Sequence, residues 1–316
     1  MTSSSVANAK SGAGVLLWFP ALFLLAAAPR SSFGGPVPEA PPPGFEVRRI
    51  QEHALDLIAS GNAVLRYVFR DPVIRRPYFT DARTPSGVLV TRNHPPVEGT
   101  DATDHADMHP GVWLAFGDLN GFDFWRNRAA VRHDGYIVEP AAGPEEIAFT
   151  VRNLYLDGER QVCREESAFR FRRSGTAFML DWDSRFMALD EELVFGDQEE
   201  MGLGVRVATP IAVRQGGRMR DGEGRVDEKE IWGKPSDWCD YAGEVDGRQV
   251  GIALVPHREN PRRSRFHARD YGVLVANPCA LKAFGEPVAM PLRVAPGETL
   301  RLRFRIVLHD GDYTPD

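Results

Sequence analysis

The chain has 316 residues, of which 43% are hydrophobic and 26% are charged. This length and balance allow a sizeable core and exclude a wholly disordered chain. The net charge is −6 and the arginines are dispersed among acids, which excludes a basic surface for a phosphate backbone, so we expect no nucleic-acid partner.

The first predicted element is an apolar segment near the N-terminus. Residues 15–28 read VLLWFPALFLLAAA and follow a polar stretch that contains Lys10. A run of about 14 apolar residues is shorter than the roughly 18 to 20 that span a bilayer, and it is typical of a signal-peptide core. We therefore predict a signal peptide over residues 1–30, a periplasmic or extracellular location, and no membrane association beyond export.

A linker and a single domain are predicted after this segment. Residues 31–44 are rich in proline and glycine and end in APPPG, which is typical of a linker. No second break of this kind follows, so residues 45–316 are predicted to form one domain. Only residues 50–59 have a spacing that suggests a helix.

Alternating apolar and polar residues dominate this domain. In TLRLRFRIVLHD, Leu302, Phe304 and Ile306 face one side of a predicted strand and the arginines face the other. Similar runs lie near 62–70, 147–152, 166–172, 177–189, 203–213, 249–255 and 271–276, with glycine-containing turns between several of them. The pattern predicts an all-β fold, a large antiparallel β-sandwich.

The three cysteines do not form a disulfide framework. Cys163, Cys239 and Cys279 allow at most one pair, and none has the spacing of a zinc site, so buried free thiols are expected. We expect no cofactor.

A predicted loop places two histidines among acids. DATDHADMHP, residues 101–110, lacks apolar periodicity and contains His105 and His109. An imidazole titrates near pH 6.5, so the pair has the chemistry of an acid and a base. Metal binding by His105, Asp107 and His109 is the alternative. The next residues, with Trp113 and Trp125, predict a strand, a turn at 120–121 and a short return.

The segment EEMGLGVRVATP predicts a strand with a polar face. Alternation places Glu200 and Arg206 on one side, with Gly202 and Gly204 between them. The glycines predict an open floor at which a ligand approaches the backbone. An edge strand with a solvated charged face is the alternative.

Two later segments add aromatic and polar residues. IWGKPSDWCDYAG contains Trp232 and Lys234, and rings beside polar groups suit carbohydrate, although such rings also fill cores. In VGIALVPH the small residues Gly251 and Ala253 share a predicted face with His257.

The segment RFHARDYGVLVANP places three large polar side chains on one predicted face. His267, Arg269 and Tyr271 alternate along a strand, and Asn277 has the same parity. Such groups need hydrogen-bond partners if buried, so they face solvent or line a polar pocket.

Four stretches together resemble a family of exported bacterial proteins labelled PmoA-like. They are RPYFTDARTPSGVLVTRNHPP, DHADMHPGVWLAFGDLNGFDFW, WGKPSDWCDY and HARDYGVLVANP. The label refers to methane oxygenation, but this chain lacks the membrane-spanning helices of the methane monooxygenase subunit. Related sequences usually read Asp-His-Pro-His-His in the loop, whereas this chain has Asp107 and Met108 before His109.

The family is also similar to the galactose-mutarotase-like supersandwich. That resemblance implies a curved antiparallel sheet that binds a sugar on its concave face, with two histidines and an acid acting at the anomeric carbon.

These patterns predict a secreted carbohydrate-active protein, an enzyme of the epimerase, lyase or glycoside hydrolase type, with a small-molecule or oligosaccharide ligand. The alternatives are a non-catalytic carbohydrate-binding module and a metal-dependent enzyme using the loop histidines. The predicted catalytic residues are His105, His109, Glu200, His257 and His267. The predicted substrate-binding residues are Trp113, Trp125, Arg206, Trp232, Lys234, Arg269, Tyr271 and Asn277.

Overall fold

The computed structural model of the protein describes residues 44–315. The predicted signal peptide and all but the last residue of the predicted linker lie outside this range. Within it the chain is mostly β-strand, as the alternation of apolar and polar residues predicted.

The strands, in chain order, are β1 (Phe45–Ile50), β2 (Ala54–Ala59), β3 (Asn62–Val68), β4 (Tyr78–Thr80), β5 (Val112–Phe116), β6 (Ala130–Ala142), β7 (Glu146–Asp157), β8 (Arg160–Ser174), β9 (Ala177–Ala188), β10 (Leu193–Phe195), β11 (Met201–Arg206), β12 (Arg218–Asp221), β13 (Cys239–Val245), β14 (Arg248–Pro256), β15 (Arg265–Arg269), β16 (Val273–Asn277), β17 (Leu292–Val294) and β18 (Thr299–Asp310). The helices are α1 (Asp227–Ile231) and three 3₁₀ turns at Thr209–Ile211, Val213–Gln215 and Lys282–Phe284.

Two large antiparallel sheets contain most of these strands. The first sheet has the order β1-β2-β3-β4-β5-β11-β16-β15, and the second has the order β12-β13-β14-β18-β9-β8-β7-β6. β10 and β17 form a separate antiparallel pair. The all-β, large antiparallel β-sandwich that the sequence predicted is confirmed.

The main core contains side chains from both sheets. Tyr67 of β3 contacts Phe149 of β7, with ring centroids 5.4 Å apart, and Phe79 of β4 contacts Trp182 of β9 at 5.5 Å. Aromatic pairs at such separations add to the free energy gained from burial. The face of each sheet that contributes to this core is its inner face, and the opposite face is its outer face.

The predicted helix at residues 50–59 is wrong. The segment is the end of β1, a turn and all of β2. Every residue of β2 is buried, including Asp56 on the outer face, which accepts hydrogen bonds from Arg48 at 3.0 Å and Arg66 at 2.7 Å. Because both faces of this strand are buried, its sequence lacks a clear period of two.

The helices within residues 44–315 are all short. The longest is five residues, and none of them is long and apolar enough to cross a bilayer. The three cysteines are buried and free, as predicted.

A buried carboxyl group lies in the core between the sheets. Glu165 of β8 is 3% exposed, and its carboxylate accepts hydrogen bonds from Asn153 at 3.0 Å, Ser167 at 2.8 Å and Ser184 at 2.7 Å. Burial raises the pKa of Glu165, and these hydrogen bonds only partly offset it.

We predict that Glu165→Gln stabilises the protein above neutral pH. An acid whose pKa is higher in the folded than in the unfolded state weakens folding as pH rises between the two values. Each pKa unit corresponds to about 1.4 kcal/mol, so a gain of that order is expected at pH 8 and should shrink toward pH 4. The Asn153 side chain, which donates to the carboxylate through Nδ2, can accept from the new amide through Oδ1.

Thermal unfolding between pH 4 and pH 8 measures this difference. The adjacent Glu166→Gln, at a partly exposed position, is the matched control and should leave the pH dependence unchanged. A Glu165→Gln effect that is the same at every pH would contradict the prediction.

Candidate functional site

The outer face of the first sheet carries a row of charged residues. Strand register places Arg206 of β11 opposite Val273 of β16, and Val273 opposite Arg269 of β15. Side chains directly opposite one another in neighbouring strands share a face of the sheet. The structure therefore brings Arg206 and Arg269 to one face, two strands apart.

The next row of residues across this face begins at Trp113 and ends at His267. Trp113 of β5 lies opposite Gly204, Gly204 opposite Val275, and Val275 opposite His267 of β15. His267 thus shares the outer face with the two arginines, as its sequence parity predicted.

The predicted open floor at Gly204 is absent because Trp113 covers it. A Cβ atom at Gly204 would lie 2.8 Å from the indole ring, so glycine is required for the indole to lie against the strand. Trp113 and Trp125 are both fully buried, with ring centroids 5.3 Å apart. Neither ring is available to stack on a sugar, so their predicted substrate-binding role requires correction: they form an apolar cluster on the outer face.

Two buried arginines hold the histidine loop over this face. Arg92 donates to the carbonyl oxygens of Ala102, Asp104 and His109, at 2.8, 2.7 and 3.1 Å. Arg76 donates to the carbonyl oxygen of Trp125 at 2.7 Å and to that of Met108. Residues 101–110 have neither helix nor strand, as predicted, and these arginines satisfy their backbone carbonyls.

His109 is a buried ring whose two nitrogens make no hydrogen bond to other atoms of residues 44–315. It is 3% exposed and stacks on Trp113 at 5.0 Å with an angle of 9° between the rings. Burial, together with the electrostatic influence of the neighbouring His105 and Arg206, lowers the pKa of His109 well below its ordinary value. His109 is therefore uncharged near neutral pH, which does not suit the predicted acid role.

His105 belongs to an ion-pair network at the surface. Its side chain is 44% exposed, and its Nδ1 lies 2.9 Å from Asp104 Oδ2. Arg206 donates two hydrogen bonds to Asp104, at 2.9 and 2.7 Å. Partial burial opposes ionisation of Asp104, but the hydrogen bonds from His105 and Arg206 hold its pKa at about 2.

The half-buried ring of Tyr271 links this network to the neighbouring strand. Its centroid lies 4.8 Å from the Arg206 guanidinium, 5.6 Å from that of Arg214 and 6.0 Å from the His105 ring. Both arginine contacts have cation–π geometry. Tyr271 thus joins the predicted residues His105 and Arg206 at one surface.

A carboxylate orients the second imidazole of the site. His267 Nδ1 lies 3.3 Å from Glu199 Oε2, and Arg269 donates to the same oxygen at 3.2 Å. The hydrogen bond from His267 is the largest contribution lowering the pKa of Glu199, which is therefore ionised across the neutral range. The polar contacts of the His267 ring within residues 44–315 all use Nδ1.

Trp232 and Glu228 complete this side of the site. The Trp232 Nε1–H donates to His267 Nδ1 at 3.3 Å when that nitrogen carries no proton, and the Arg269 guanidinium lies 5.6 Å from the indole centroid. Arg269 also donates to Glu228 of α1 at 2.9 Å. The indole is half-buried, so part of it faces solvent.

Glu200, the predicted base, is not the carboxylate that faces His267. Its side chain pairs with Arg126, and the neighbouring Glu199 contacts the imidazole instead. The physical reason is that regular strand begins only at Met201, and residues 199–200 form a bend. Alternation of faces does not extend through a bend.

Asn277 positions Glu199 and is fully buried. Its side-chain nitrogen donates to the carbonyl oxygens of Gln198 at 2.8 Å and Glu199 at 3.2 Å, and its oxygen accepts from Cys279 and Ala280. These contacts use the amide fully. The prediction that Asn277 contacts a substrate directly is therefore corrected. Its side chain supports the bend at residues 199–200.

His257 does not join the other predicted residues, whereas Lys234 lies beside β15. His257 follows β14, which belongs to the second sheet, so it lies apart from the outer face of the first. Sequence parity was read correctly along β14 but could not say to which sheet that strand belongs. Lys234 is exposed in the segment before β13, where its backbone pairs with Phe266.

The metal alternative has no matching ligand geometry. Within residues 44–315, no group of three or more His, Cys, Asp or Glu side chains is arranged to hold a metal ion. His105 and His109 have ring centroids 5.2 Å apart, and Asp107 is exposed and contributes its backbone carbonyl to Asn127.

Sequence reasoning missed Glu199, Glu228, Arg76 and Arg92. Glu199 adjoins the predicted Glu200, so treating the whole EE pair as candidates would have included it. The two buried arginines carry no spacing signal, because their partners are carbonyl oxygens of distant segments.

Comparison with known proteins gives a family and several solved structures. A family model described as "Family of unknown function (DUF6807)" matches residues 54–316. No curated protein matches the sequence significantly. Several solved structures also match.

Three of these structures show how similar the matches are in identity, TM-score and coverage. The galactosidase domain of the α-galactosidase–sucrose kinase AgaSK is similar at 10% identity and a TM-score of 0.42, over 84% of this chain and 42% of that chain. The α-galactosidase from Lactobacillus brevis is similar at 8% and 0.40, over 85% and 40%. A GalM/aldose epimerase homologue from C. elegans is similar at 8% and 0.32, over 86% and 99%. The chain thus spans about two fifths of the length of the two galactosidase structures.

Proposed function

The chain belongs to the DUF6807 family, a family of unknown function, and we propose that it binds a sugar on the outer face of its first sheet and transfers a proton to or from that sugar through His267. The site is the surface formed by His105, Tyr271, Arg269, Trp232 and the His267–Glu199 pair.

Partly exposed rings beside paired charges support a sugar ligand. Tyr271 and Trp232 each have a guanidinium near the ring, and both guanidinium groups are also paired with carboxylates. Sugar C–H faces pack on aromatic rings, and sugar hydroxyls both donate and accept hydrogen bonds. Arg206 is only 1% exposed and holds Asp104 in place. The partly exposed Arg269, Glu228 and Asp104 provide donors and acceptors at fixed positions.

The contact between His267 and Glu199 is the observation that carries the proton-transfer part of the proposal. With its proton on Nδ1, His267 donates to Glu199, which also accepts from the Trp232 N–H, and these contacts fix the ring orientation. His267 is 3% exposed, as His109 is, but unlike His109 it contacts a carboxylate. Because Nδ1 makes that contact, Nε2 is the nitrogen that exchanges a proton with a sugar oxygen. Arg269, which contacts the same carboxylate, keeps Glu199 ionised.

A sugar-binding protein without catalysis is the second candidate. The buried and uncharged state of His109 favours it, since that state removes one of the two imidazoles that ring opening of a sugar would use. Binding and turnover must therefore be measured separately.

We predict that Trp232→Ala and Tyr271→Ala each weaken sugar binding about tenfold, since each removes a stacking surface. Calorimetric titration with simple sugars and oligosaccharides measures the dissociation constants. Phe122→Ala, at a partly exposed ring near β10 and away from the site, is the matched control. Unchanged binding in both site variants would refute the sugar site, whatever the turnover.

We also propose that the protein is exported and that it is related to the PmoA-like exported proteins. Support for both comes from sequence: the apolar segment at 15–28 and the four family-like stretches. Fractionation of cells that express the full chain tests it, and retention of an uncleaved chain in the cytoplasm would contradict it.

A further inference from the structure

The outer face of the second sheet carries a groove that the proposed site does not use. It has a volume of about 840 Å³, and strands β9 and β18 and the end of β14 line it together with residues 222–223 and 237–238. This volume falls within the range of about 300–1,000 Å³ that is usual for small-ligand sites. We call it the second-sheet groove.

The floor of the groove is a ladder of paired charges. Arg301 donates to both carboxylate oxygens of Asp183, at 2.8 and 2.5 Å, and Arg305 donates to Asp181 at 2.6 Å. Arg303, between them, pairs with Glu259. Pairing leaves donors and acceptors side by side without an excess of one charge.

One wall of the groove presents an aromatic ring on a braced segment. Trp238 is half-buried, and its carbonyl oxygen accepts from Ser236 Oγ at 2.9 Å and from the Gly222 amide at 3.2 Å. Arg263 joins the two segments of this wall, since it pairs with both Glu223 and Asp237. The backbone that carries the ring is therefore fixed before any ligand arrives, and the Arg220 guanidinium lies 5.5 Å from the ring centroid.

The other wall presents the imidazole of His257. Asn260 fixes this wall through two hydrogen bonds with the backbone of Arg303, at 2.9 and 2.7 Å. The Glu259 amide donates to His257 Nδ1 at 3.1 Å, so the ring proton of the neutral form is on Nε2. Burial and the nearby Arg303 lower the pKa of His257, which favours that neutral form.

We propose that the second-sheet groove binds a neutral oligosaccharide segment, with Trp238 as the stacking ring and His257 as a hydrogen-bond donor. Five arginines and four acids line the groove, and Glu259 pairs with Arg303, so there is no large excess of positive charge to attract a polyanion. A floor of ion pairs does not suit an apolar helix. A neutral glycan has the apolar C–H faces and the hydroxyl groups that an indole and an alternating ladder of donors and acceptors satisfy. His257, which the sequence singled out and the first site does not use, acquires a role here.

Affinity electrophoresis in gels containing soluble polysaccharides tests this proposal. The probes are dextran, galactomannan and mixed-linkage β-glucan as neutral polymers, and alginate as the acidic one. The intact protein should be retarded by at least one neutral polymer. Trp238→Ala should raise the dissociation constant at least about tenfold, and His257→Ala about threefold, the loss of one stacking ring and of one hydrogen bond.

Phe122→Ala, at a partly exposed ring that belongs to neither site, is the matched control and should not change this retardation. Melting curves show whether each variant is folded, and His257→Ala, in an exposed loop, keeps the test open if Trp238→Ala unfolds. No retardation by any neutral polymer, retardation by alginate alone, or retardation lost only in Trp232→Ala would overturn the proposal. The first-site sugar titration is a separate measurement, so the two proposals can fail independently.

Discussion

Replacing His267 with alanine is expected to lower turnover of a sugar substrate roughly 10²- to 10⁴-fold, the usual contribution of a positioned proton donor or acceptor. Mutarotation and cleavage of a panel of simple glycosides are the reactions to measure. The dissociation constant for the sugar should change much less, because Tyr271 and Trp232 supply the stacking surfaces.

Glu199→Gln tests the same chemistry through the partner of the imidazole. The substitution removes the negative charge that stabilises the protonated ring, so the pH profile of turnover should move to lower pH. The side chain keeps its size and an acceptor oxygen, so sugar binding should persist. A merely structural role of Glu199 would alter melting without moving the pH profile.

His53→Ala is the matched control for these variants. His53 lies in the turn between β1 and β2, away from β15, and its replacement should leave turnover and the pH profile unchanged. Unchanged turnover in folded His267→Ala would refute proton transfer by this residue and leave sugar binding without catalysis. His267 is buried, so melting curves must accompany each measurement.

Strands with one buried face were predictable from sequence. In β18, Leu302, Phe304 and Ile306 enter the core, while Arg301 and Arg303 face the second-sheet groove. The period of two follows directly from that difference in environment. β2 gave no such signal, because ion pairs bury Asp56 on its outer face and remove the contrast between the two faces.

The prediction of which side chains share a face was more reliable within one strand than between strands. It correctly grouped His267 with Arg269, which belong to one strand, and the register then adds Arg206 from β11. It could not show that His257 belongs to the other sheet, since strand order depends on contacts between distant segments. It also failed at Glu200, because the alternation ends where the regular strand ends.

The sequence also could not show which of the two loop histidines is buried. The spacing of His105 and His109 is the same whether the rings are exposed or buried. Arg76 and Arg92, which come from outside the loop, fold it so that His109 faces Trp113 and His105 faces solvent. A motif of this kind predicts chemistry only when its burial is known.

The largest loss of stability is expected from breaking the ion pair between His309 and Asp240 in the second sheet. His309 Nε2 lies 2.9 Å from Asp240 Oδ1, and Nδ1 lies 2.8 Å from the carbonyl oxygen of Gly311. The two residues are 1% and 6% exposed. Both partners of the ring are acceptors, so the geometry suits an imidazolium with a proton on each nitrogen.

The pKa of His309 determines how this contribution depends on pH. Burial alone would lower that pKa, but the hydrogen bond and charge of Asp240 and the Gly311 carbonyl raise it above its ordinary value. A histidine whose pKa is raised by folding stabilises the protein fully below its unfolded value, near 6.5. The contribution is lost as pH rises through the folded value.

Asp240→Asn should therefore destabilise the protein by about 3–5 kcal/mol at pH 6, the usual cost of removing one partner of a buried ion pair, and by less at pH 9. Denaturant unfolding at the two pH values measures the difference. His309→Gln gives the second single variant, and the double variant closes a cycle that isolates the interaction between the two side chains. The neighbouring Glu244→Gln, at an exposed end of β13, is the matched control and should change little at either pH.

A further variant, Gly251→Ala, distinguishes the loss of a charge from disturbed packing. A Cβ atom at Gly251 would lie 2.4 Å from His309 Nε2, so Gly251→Ala displaces the imidazole without removing either charge. If the ion pair stabilises the folded protein, the free energy of unfolding of both Gly251→Ala and Asp240→Asn should lose the difference between pH 6 and pH 9 that the parent protein shows. Equal destabilisation of Asp240→Asn at pH 6 and pH 9 would contradict the charged pair, and the cost would then be assigned to packing around an uncharged ring.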